Sequence, residues 1–196
     1  MAYPDVELLT AEVTALPGAA NGPAAQTFEG MVREHWDSVY RLLQSLSGNI
    51  HDTEDLTQET FLRAWNRIDS FQRGSNLRSW LLKIASNAFF DQKRRKKRSK
   101  TQPLDEFEPA GRADAPGHDL EVAQQAARVR EAMRKLSKLT CMVFHLRAVE
   151  GLSFREIAEV AATTEQSARW HMHHARTKLL ELLGENGDGS VMPTTP

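Results

Sequence analysis

The 196-residue sequence contains a single cysteine, Cys141, which excludes an intramolecular disulfide and any site built from a CxxC pair. It also lacks an apolar run near the roughly 20 residues that a membrane-spanning helix needs, and its first residues lack the basic start of a signal peptide. Aromatic residues make up only 7% of the chain and charged residues 26%, a composition typical of soluble helical domains. We therefore expect a protein of the reducing cytoplasm.

Common catalytic motifs are absent as well. The sequence has no GxxxxGKS/T phosphate-binding loop, no HExxH motif and no recognisable set of a nucleophile with its base. Carboxylates do not cluster around a basic groove, as a metal-dependent nuclease would require. We therefore expect a protein without enzymatic activity, cofactor, metal or small-molecule substrate.

What the sequence does have is an uneven distribution of charge. Residues 27–100 carry 14 basic and nine acidic residues, and residues 122–184 carry 10 basic and six acidic residues. The segments 1–26, 101–121 and 185–196 are acidic, with net charges of −3, −5 and −2. Two basic blocks separated and flanked by acidic connectors indicate a polyanionic partner that is contacted at two places.

Apolar residues recur at helical spacing in both basic blocks, so the sequence predicts an all-α protein with two small helical domains. We assign these domains to residues 27–100 and 120–184. The alanine-, glycine- and proline-containing residues 1–26 predict a flexible leader, and the acidic, proline-containing residues 101–119 predict a flexible linker. Residues 185–196 are expected to form a flexible tail.

Three helices are predicted in the first domain. The first spans about 28–46 and is ended by Gly48, and the second spans about 52–68 with Asp52 as its cap. The third begins at Leu77 and continues into the run KRRKKRSK, in which seven of eight residues are basic. This run is compatible with a solvated helix end or a localisation signal, but its continuity with a buried helix favours contacts with phosphates.

The segment DTEDLTQETFLRAW, residues 52–65, has two distinct faces when it is drawn as a helix. One face is apolar, and the other carries Asp55, Gln58, Glu59 and Leu62 at positions i, i+3, i+4 and i+7. The second face lacks the alternating basic residues that neutralise an ordinary surface helix. Taken alone, the segment favours the simpler interpretation, an ordinary amphipathic helix with an acidic outer face.

The second domain contains a predicted helix-turn-helix. SFRE has the spacing of a capping box, in which Ser153 caps a short helix and Glu156 reaches back to it. A turn at Ala162 and Thr163 leads to a longer helix near Thr164, for which Thr163 and Gln166 have the spacing of a second box. Two short helices joined in this way are typical of modules that place the second helix in a major groove.

The predicted second helix of that motif, TEQSARWHMHHARTKLLELL, is rich in groups that contact DNA. Arginine, lysine, histidine and an exposed tryptophan crowd the surface opposite its apolar stripe. We expect the DNA contacts to come from Arg169, Trp170, His171, His173, His174, Arg176 and Lys178. His171 and His174 have the spacing of metal ligands, but no nearby carboxylate or cysteine completes such a set.

These segments resemble the extracytoplasmic function (ECF) sigma factors, small members of the sigma-70 family of bacterial transcription initiators. The first domain resembles sigma region 2 through DTEDLTQETFLRAW, the loop DSFQRGSN and LRSWLLKIASNAFFDQKRRKKR. The second resembles sigma region 4 through LSKLTCMVFHLRAVEGLSFREIAEV and TTEQSARWHMHHARTKLLELL. The resemblance implies a factor that binds core RNA polymerase, directs it to promoters and helps to melt promoter DNA.

The resemblance also implies a role for each candidate residue. Asp55, Gln58, Glu59 and Leu62 would dock on the clamp helices of the largest polymerase subunit, and the polymerase flap would be a second contact. The residues Arg169 to Lys178 named above would bind the minus-thirty-five element. The minus-ten element, with a base flipped from the non-template strand, would be bound by Phe71, Arg73, Asn76, Lys83, Asn87, Lys93 and Arg94.

The resemblance has departures and rivals. Trp170 and His171 stand where small or basic residues are usual in the family, and Ala162 stands where glycine is common at the turn. Trp80 lies on the apolar stripe of its helix, so we expect it in the core. A polymerase-independent helix-turn-helix regulator is the alternative function. An anti-sigma factor, which in this family is often membrane-bound, is a further expected partner.

Overall fold

The computed structural model describes residues 23–71, 76–98 and 120–184. Within these ranges helices are the only regular secondary structure, and they belong to two compact units. None of the helices described is long and apolar enough to span a bilayer. Arg73, the linker at 101–119 and the tail at 185–196 lie outside the described residues, as does most of the leader.

The first unit is a bundle of three helices in which every pair is in contact. Helix α1 is Pro23–Ser47, α2 is Ile50–Trp65 and α3 is Leu77–Arg98, with a 3-10 turn at Ile68–Ser70. At the centre of the bundle the rings of Trp36 and Phe61 stack with centroids 5.7 Å apart. Both side chains are almost fully buried, and such a pair stabilises the fold beyond the area that it buries.

The buried side of α2 is richer in threonine than its apolar pattern predicts. Thr53, Thr57 and Thr60 are all fully buried. Each hydroxyl donates a hydrogen bond to the carbonyl oxygen four residues earlier, at 2.7 Å in all three cases. The hydroxyls therefore enter the core without losing a hydrogen-bonding partner.

The predicted helix ends in the first unit are only partly confirmed. Gly48 follows α1 with a φ of +72°, the conformation that glycine adopts at little cost. The prediction that Asp52 caps α2 is wrong, because Asn49 accepts the hydrogen bond from the Asp52 amide at 3.1 Å. Helix α2 also ends at Trp65 instead of Ile68, and α1 begins at Pro23 within the predicted leader.

The remaining four helices lie within residues 120–184, which we call the second unit. Helix α4 is Leu120–Arg134, α5 is Lys138–Ala148, α6 is Phe154–Val160 and α7 is Glu165–Gly184. The long helix α7 packs against α4 and α5. Met142, Leu146 and Ile157 are fully buried in the core of this unit.

The helix-turn-helix is formed by α6 and α7. The first capping box is confirmed: the Ser153 amide donates to Glu156 Oε2 at 2.9 Å, and the Glu156 amide donates to Ser153 Oγ at 3.2 Å. The second predicted box is wrong, because Thr164 is the cap of α7 and its Oγ1 accepts from the Ser167 amide at 3.1 Å. Ala162 has a φ of +48° in the intervening turn, a strained conformation for an L-residue.

Candidate protein and nucleic-acid interfaces

A row of ion pairs joins α2 to the basic end of α3. Lys96 Nζ donates to both carboxylate oxygens of Asp52 at 2.9 Å, and Arg95 contacts Glu59 at 3.5 Å. Arg63 bridges the two helices, with 2.6 Å to Glu59 and 3.2 Å to Asp91 on α3. The expectation that Glu59 lacks basic partners is therefore wrong, since one partner lies a turn away on α2 and the other 36 residues later on α3.

The carboxylate of Asp91 is the centre of this row on α3. Arg94 donates a hydrogen bond to it and thereby lowers its pKa below the ordinary value, and Arg63 lowers the pKa further. The guanidinium groups therefore keep Asp91 ionised, so that it holds Arg63 and Arg94 in place.

The opposite edge of the acidic face of α2 is open. Asp55 is exposed, Gln58 and Leu62 are half-buried, and no described residue forms an ion pair with Asp55. Three of the four predicted polymerase-binding residues thus share a surface that has no charge partner among the described residues. The fourth, Glu59, belongs to the seam with α3. We call Asp55, Gln58 and Leu62 the open edge of α2.

One face of α3 carries most of the predicted minus-ten residues. Asn76, Lys83, Asn87 and Arg94 follow one another at intervals of seven, four and seven residues, and all four are exposed. Asn76 also caps the helix, because its Oδ1 accepts from the Ser79 amide at 3.2 Å. These side chains form a polar stripe along the length of the helix.

The basic run at the end of α3 is divided by helical register. Arg95 and Lys96 point to the carboxylates of α2, and Arg94 pairs with Asp91. Lys93 and Lys97 are exposed and form no ion pair with a described residue. Fewer cations of this run are therefore available to bind a polyanion than its sequence suggests.

The prediction that Trp80 belongs to the core is wrong. Its side chain is half-buried, and its ring contacts Phe71 with centroids 5.3 Å apart at an angle of 56°. Trp80 lies three and seven residues before Lys83 and Asn87, so it shares their stripe. Two partly exposed aromatic rings beside cations are the groups that bind unstacked bases of a single strand.

The outward surface of α7 is dominated by Trp170, whose exposed fraction is 60%. The indole stacks on the His174 imidazole with centroids 5.1 Å apart and planes within 6°. His173 and Arg176 are also exposed on this helix, and Ala168, Ala175 and Leu179 are buried on the opposite side. The helix therefore presents an aromatic pair with polar and cationic neighbours.

Arg169 and Lys178 are held by neighbours within the second unit. The Arg169 guanidinium lies over the Phe154 ring at 4.6 Å and contacts Glu165 at 3.2 Å. Lys178 contacts Glu181 at 3.0 Å. The ion pairs of α7 join residues three or four positions apart on an exposed surface, where such pairs contribute little stability.

His171 faces the interior of the unit more than the other two predicted histidines. Its Nδ1 lies 2.9 Å from Thr140 Oγ1 on α5, and burial lowers its pKa, with a further decrease from the neighbouring His174. We therefore regard His171 as a support for α7 before any contact with DNA. No cluster of His, Cys, Asp or Glu among the described residues could hold a metal ion.

Sequence reasoning missed several of these contacts. The pairing of Arg63 with Glu59 has the i, i+4 spacing of a helical ion pair and was detectable in the sequence. Partners from distant helices, such as Lys96 for Asp52 and Thr140 for His171, gave no local signal. A buried pair, His145 and Glu150, with Nε2 and Oε1 3.5 Å apart, also went unpredicted.

Comparison with known proteins places these surfaces in a family context. Two sequence families match the chain: Sigma-70 region 2 over residues 31–99 and Sigma-70, region 4 over residues 126–179. The ECF RNA polymerase sigma factor SigE of Mycolicibacterium smegmatis is 34% identical over 179 residues, which are 88% of this chain and 68% of that protein. The ECF RNA polymerase sigma factor EcfG of Rhodopseudomonas palustris is 34% identical over 143 residues, 73% of this chain and 77% of that protein.

A solved structure is also similar. The sigma factor RpoE of Bartonella quintana, in complex with the anti-sigma factor NepR, superposes with a TM-score of 0.69 at 26% identity. The match covers 83% of this chain and 99% of that one.

Proposed function

Because the chain belongs to the ECF group of the sigma-70 family of RNA polymerase sigma factors, we propose how its helices divide the work. Helix α2 binds core RNA polymerase through its open edge, α3 binds the minus-ten element, and α7 binds the minus-thirty-five element. The nucleotidyl chemistry belongs to the polymerase, so the protein itself is a non-enzymatic initiation factor of the cytoplasm.

The observation that carries the polymerase assignment is the asymmetry of the acidic face of α2. Asp52 and Glu59 are occupied by the cations of α3, whereas Asp55 is exposed and forms no ion pair with a described residue. A half-buried leucine beside an exposed acid and an amide provides an apolar centre with a polar rim, the usual composition of a protein interface. We assign contact with the polymerase clamp helices to Asp55, Gln58 and Leu62, and assign Glu59 a shared role.

We would test this assignment by co-elution with core polymerase and by run-off transcription on fragmented host DNA. Asp55→Arg is expected to weaken holoenzyme formation about tenfold or more, because it places a like charge opposite the basic partner that an acidic surface implies. Asp37→Arg makes the same charge change at an exposed position of α1 and is expected to leave holoenzyme formation unchanged. If both variants form holoenzyme equally well, the open edge is not part of the polymerase interface.

Failure of the native protein to co-elute with core polymerase would have a wider consequence. In that case the alternative of a polymerase-independent helix-turn-helix regulator would replace the initiation factor.

The assignment of α3 to the minus-ten element is supported by the stripe of Asn76, Lys83, Asn87 and Arg94 and by the aromatic pair beside it. Melting a promoter requires a site for an unstacked base and cations for the displaced strand. Phe71 and Trp80 supply the aromatic surface, while Lys83 and Lys93 supply charge within the described residues. The opened strand would follow this stripe.

We also propose that an anti-sigma factor binds this protein and holds it inactive. The Bartonella quintana sigma factor, whose structure is similar, was solved with such a partner. When the inhibitor is membrane-bound, the protein would be held at the membrane without a membrane span of its own. Affinity purification of the full chain from its host, before and after stress, would identify the partner; recovery of core polymerase alone under all conditions would contradict the proposal.

A further inference from the structure

We propose that Trp170 recognises a thymine in the DNA bound by α7, with the indole against the thymine methyl group. The proposal rests on the assignment of α7 to duplex DNA and adds the chemical identity of one base. It follows from the position of Trp170 on the helix, the distribution of charge around it and the contacts that hold the indole.

Trp170 lies at the middle of the outward face of α7. Ala168 and Ala175 are fully buried, and Trp170 is two residues after the first, about 200° around the helix from it. Gln166, Trp170, His173 and Thr177 follow at intervals of four, three and four residues and are all exposed. This outward row carries no arginine or lysine.

The cations of α7 lie on both sides of that row. Arg169 and Arg176 are seven residues apart on one flank, and Lys178 lies on the other. A helix in a major groove turns its central row to the base edges and its flanks to the two phosphate backbones. The flanks of α7 therefore suit phosphates, and the central row with Trp170 faces the bases.

The indole is held in place before any DNA is bound. It stacks on His174 and makes an edge contact with His171, at a centroid distance of 4.9 Å. The His171 ring in turn forms a hydrogen bond with the Thr140 hydroxyl on α5. An exposed aromatic side chain that is already ordered loses less conformational entropy when it binds a partner.

Thymine is the base whose major-groove edge matches an indole. The C5-methyl group of thymine is the apolar feature of that groove, and the neighbouring O4 is an acceptor. Tryptophan offers an apolar body with a single N–H donor and no acceptor. The thymine methyl contacts the apolar body of the indole, and O4 can accept from its N–H. The major-groove edge of a G·C pair has no methyl group for the indole ring to contact.

Replacement of thymine by uracil tests the proposal, because uracil differs from thymine only in lacking the methyl group. Holoenzyme with the full chain would first select tight-binding duplexes from a pool that is randomised upstream of a fixed minus-ten region. Each selected thymine would then be replaced singly by uracil, and binding measured by competition. We expect one position at which the change weakens binding about fourfold, the effect of leaving one methyl group unburied.

The variant Trp170→Ala should bind thymine and uracil equally at that position. Val149→Ala, which also truncates an exposed apolar side chain but lies outside α7, should retain the preference for thymine. The inference is overturned if no uracil substitution weakens binding by the native protein, or if Trp170→Ala keeps the same preference. It is also overturned if Trp170→Ala binds and transcribes normally but loses a protein partner, which would make the tryptophan a protein-docking residue. Loss of all promoter binding by the native holoenzyme would instead refute the proposed function itself.

Discussion

The two helices assigned to DNA, α3 and α7, use their positive charge in different ways. The basic run of α3 is denser, but Arg95 and Lys96 contact carboxylates of α2 across the bundle. On α7, the ion pairs that Arg169 and Lys178 form with described residues are to acids one turn away on the same helix. The ion pairs of Arg95 and Lys96 therefore connect two helices. Among the described residues, no ion pair of α7 does so.

This difference determines which carboxylates a DNA phosphate can displace from their ion pairs. An exposed pair within one helix is worth a few tenths of a kcal/mol, so a phosphate readily replaces the carboxylate. A pair that joins α2 to α3 has neighbours on both sides, including Arg63 and Asp91, and fixes the direction of the helix end. We infer that the cations facing α2 position the helix and that those facing outward bind DNA.

The largest expected effect comes from removing two outward cations of α3. Lys93→Ala with Lys97→Ala should lower the slope of log Kd against log salt by about 1.5 to 2 for holoenzyme on promoter DNA, because two phosphate contacts are lost. Arg95→Ala with Lys96→Ala removes the same charge from the neighbouring positions. This control should change the slope by less than half as much while it lowers the stability of the first unit.

Equal slopes for the two double variants would mean that the division of the run by register has no consequence in the complex. The proposed distinction between positioning and binding cations would then be abandoned.

A smaller effect, in this case tighter DNA binding, is expected when a cation that faces α2 loses its carboxylate partner. Asp52→Asn removes the carboxylate that accepts two hydrogen bonds from Lys96. The free protein should then bind non-specific duplex DNA a few-fold more tightly and with a steeper salt dependence, since the Asp52 carboxylate no longer competes with phosphates for Lys96. The stability cost should stay within about 1 kcal/mol, because Lys96 is largely exposed.

The matched control for that release is Glu29→Gln, which frees Arg33 from an exposed pair on α1. Arg33 lies away from the assigned DNA stripe in sequence and on another helix, so DNA binding should not change. An equal gain from both variants would show a general effect of net charge and no role for the α2–α3 seam.

The faces of the helices were predictable from sequence because helical periodicity determines which residues can share a side. The stripe of Lys83 and Asn87, the open edge with Asp55 and the outward position of Trp170 all follow from spacing. The partners across helices were not predictable, since Asp52 and Lys96 are 44 residues apart and their contact depends on how the bundle packs. The partner of Glu59 on α3, Arg95, was missed for this reason, whereas its partner on α2, Arg63, was detectable from the i, i+4 spacing.

Helix ends were predicted less well than helix faces, for a physical reason of a different kind. Several adjacent residues are able to cap a helix, such as Asn49 and Asp52 before α2 or Thr163 and Thr164 before α7. Only the backbone geometry selects among them. Trp80 was misplaced because its helix has a wide apolar face whose border is set by tertiary contacts, here with Phe71.

The two units also differ in how they form left-handed backbone conformations, and this difference predicts an effect of about 1 kcal/mol. The first unit uses a glycine, Gly48. The second also uses a glycine, Gly151, but its helix-turn-helix has Ala162 with a φ of +48°. Ala162→Gly should therefore raise the stability of the second unit by roughly 0.5–1 kcal/mol, because it relieves the strain of the β-carbon.

Gly151→Ala is the reciprocal control in the same unit. Its φ is +70° and a β-carbon added there would meet nothing within 4 Å, so only the backbone conformation opposes the change. Thermal unfolding should show a decrease of about 1 kcal/mol for Gly151→Ala and an increase for Ala162→Gly. A decrease for both would show that the Ala162 methyl group contributes packing that outweighs its strain.

The smallest expected effect concerns pH and compares one histidine in each unit. Burial lowers the pKa of His35 in the first unit, where Glu34 partly offsets the shift and Arg78 adds to it. Burial likewise lowers the pKa of His171 in the second. Below the ordinary value of 6.5 the unfolded chain therefore binds protons more readily than the folded chain, and both units should lose stability as the pH falls from 7.5 to 5.5.

Above pH 7.5 both histidines are neutral in either state, so their contribution to the pH dependence should vanish. An NMR titration of the full chain should give both imidazoles a pKa below 6.5. His35→Gln should reduce the loss of stability at acid pH in the first unit only, and His171→Asn should reduce it in the second unit only. The slope should be shallow, since each histidine accounts for at most one proton. A titration of His171 at or above 6.5 would mean that the contact with Thr140 does not hold the ring inward, and the indole of Trp170 would lose the support that the contact provides.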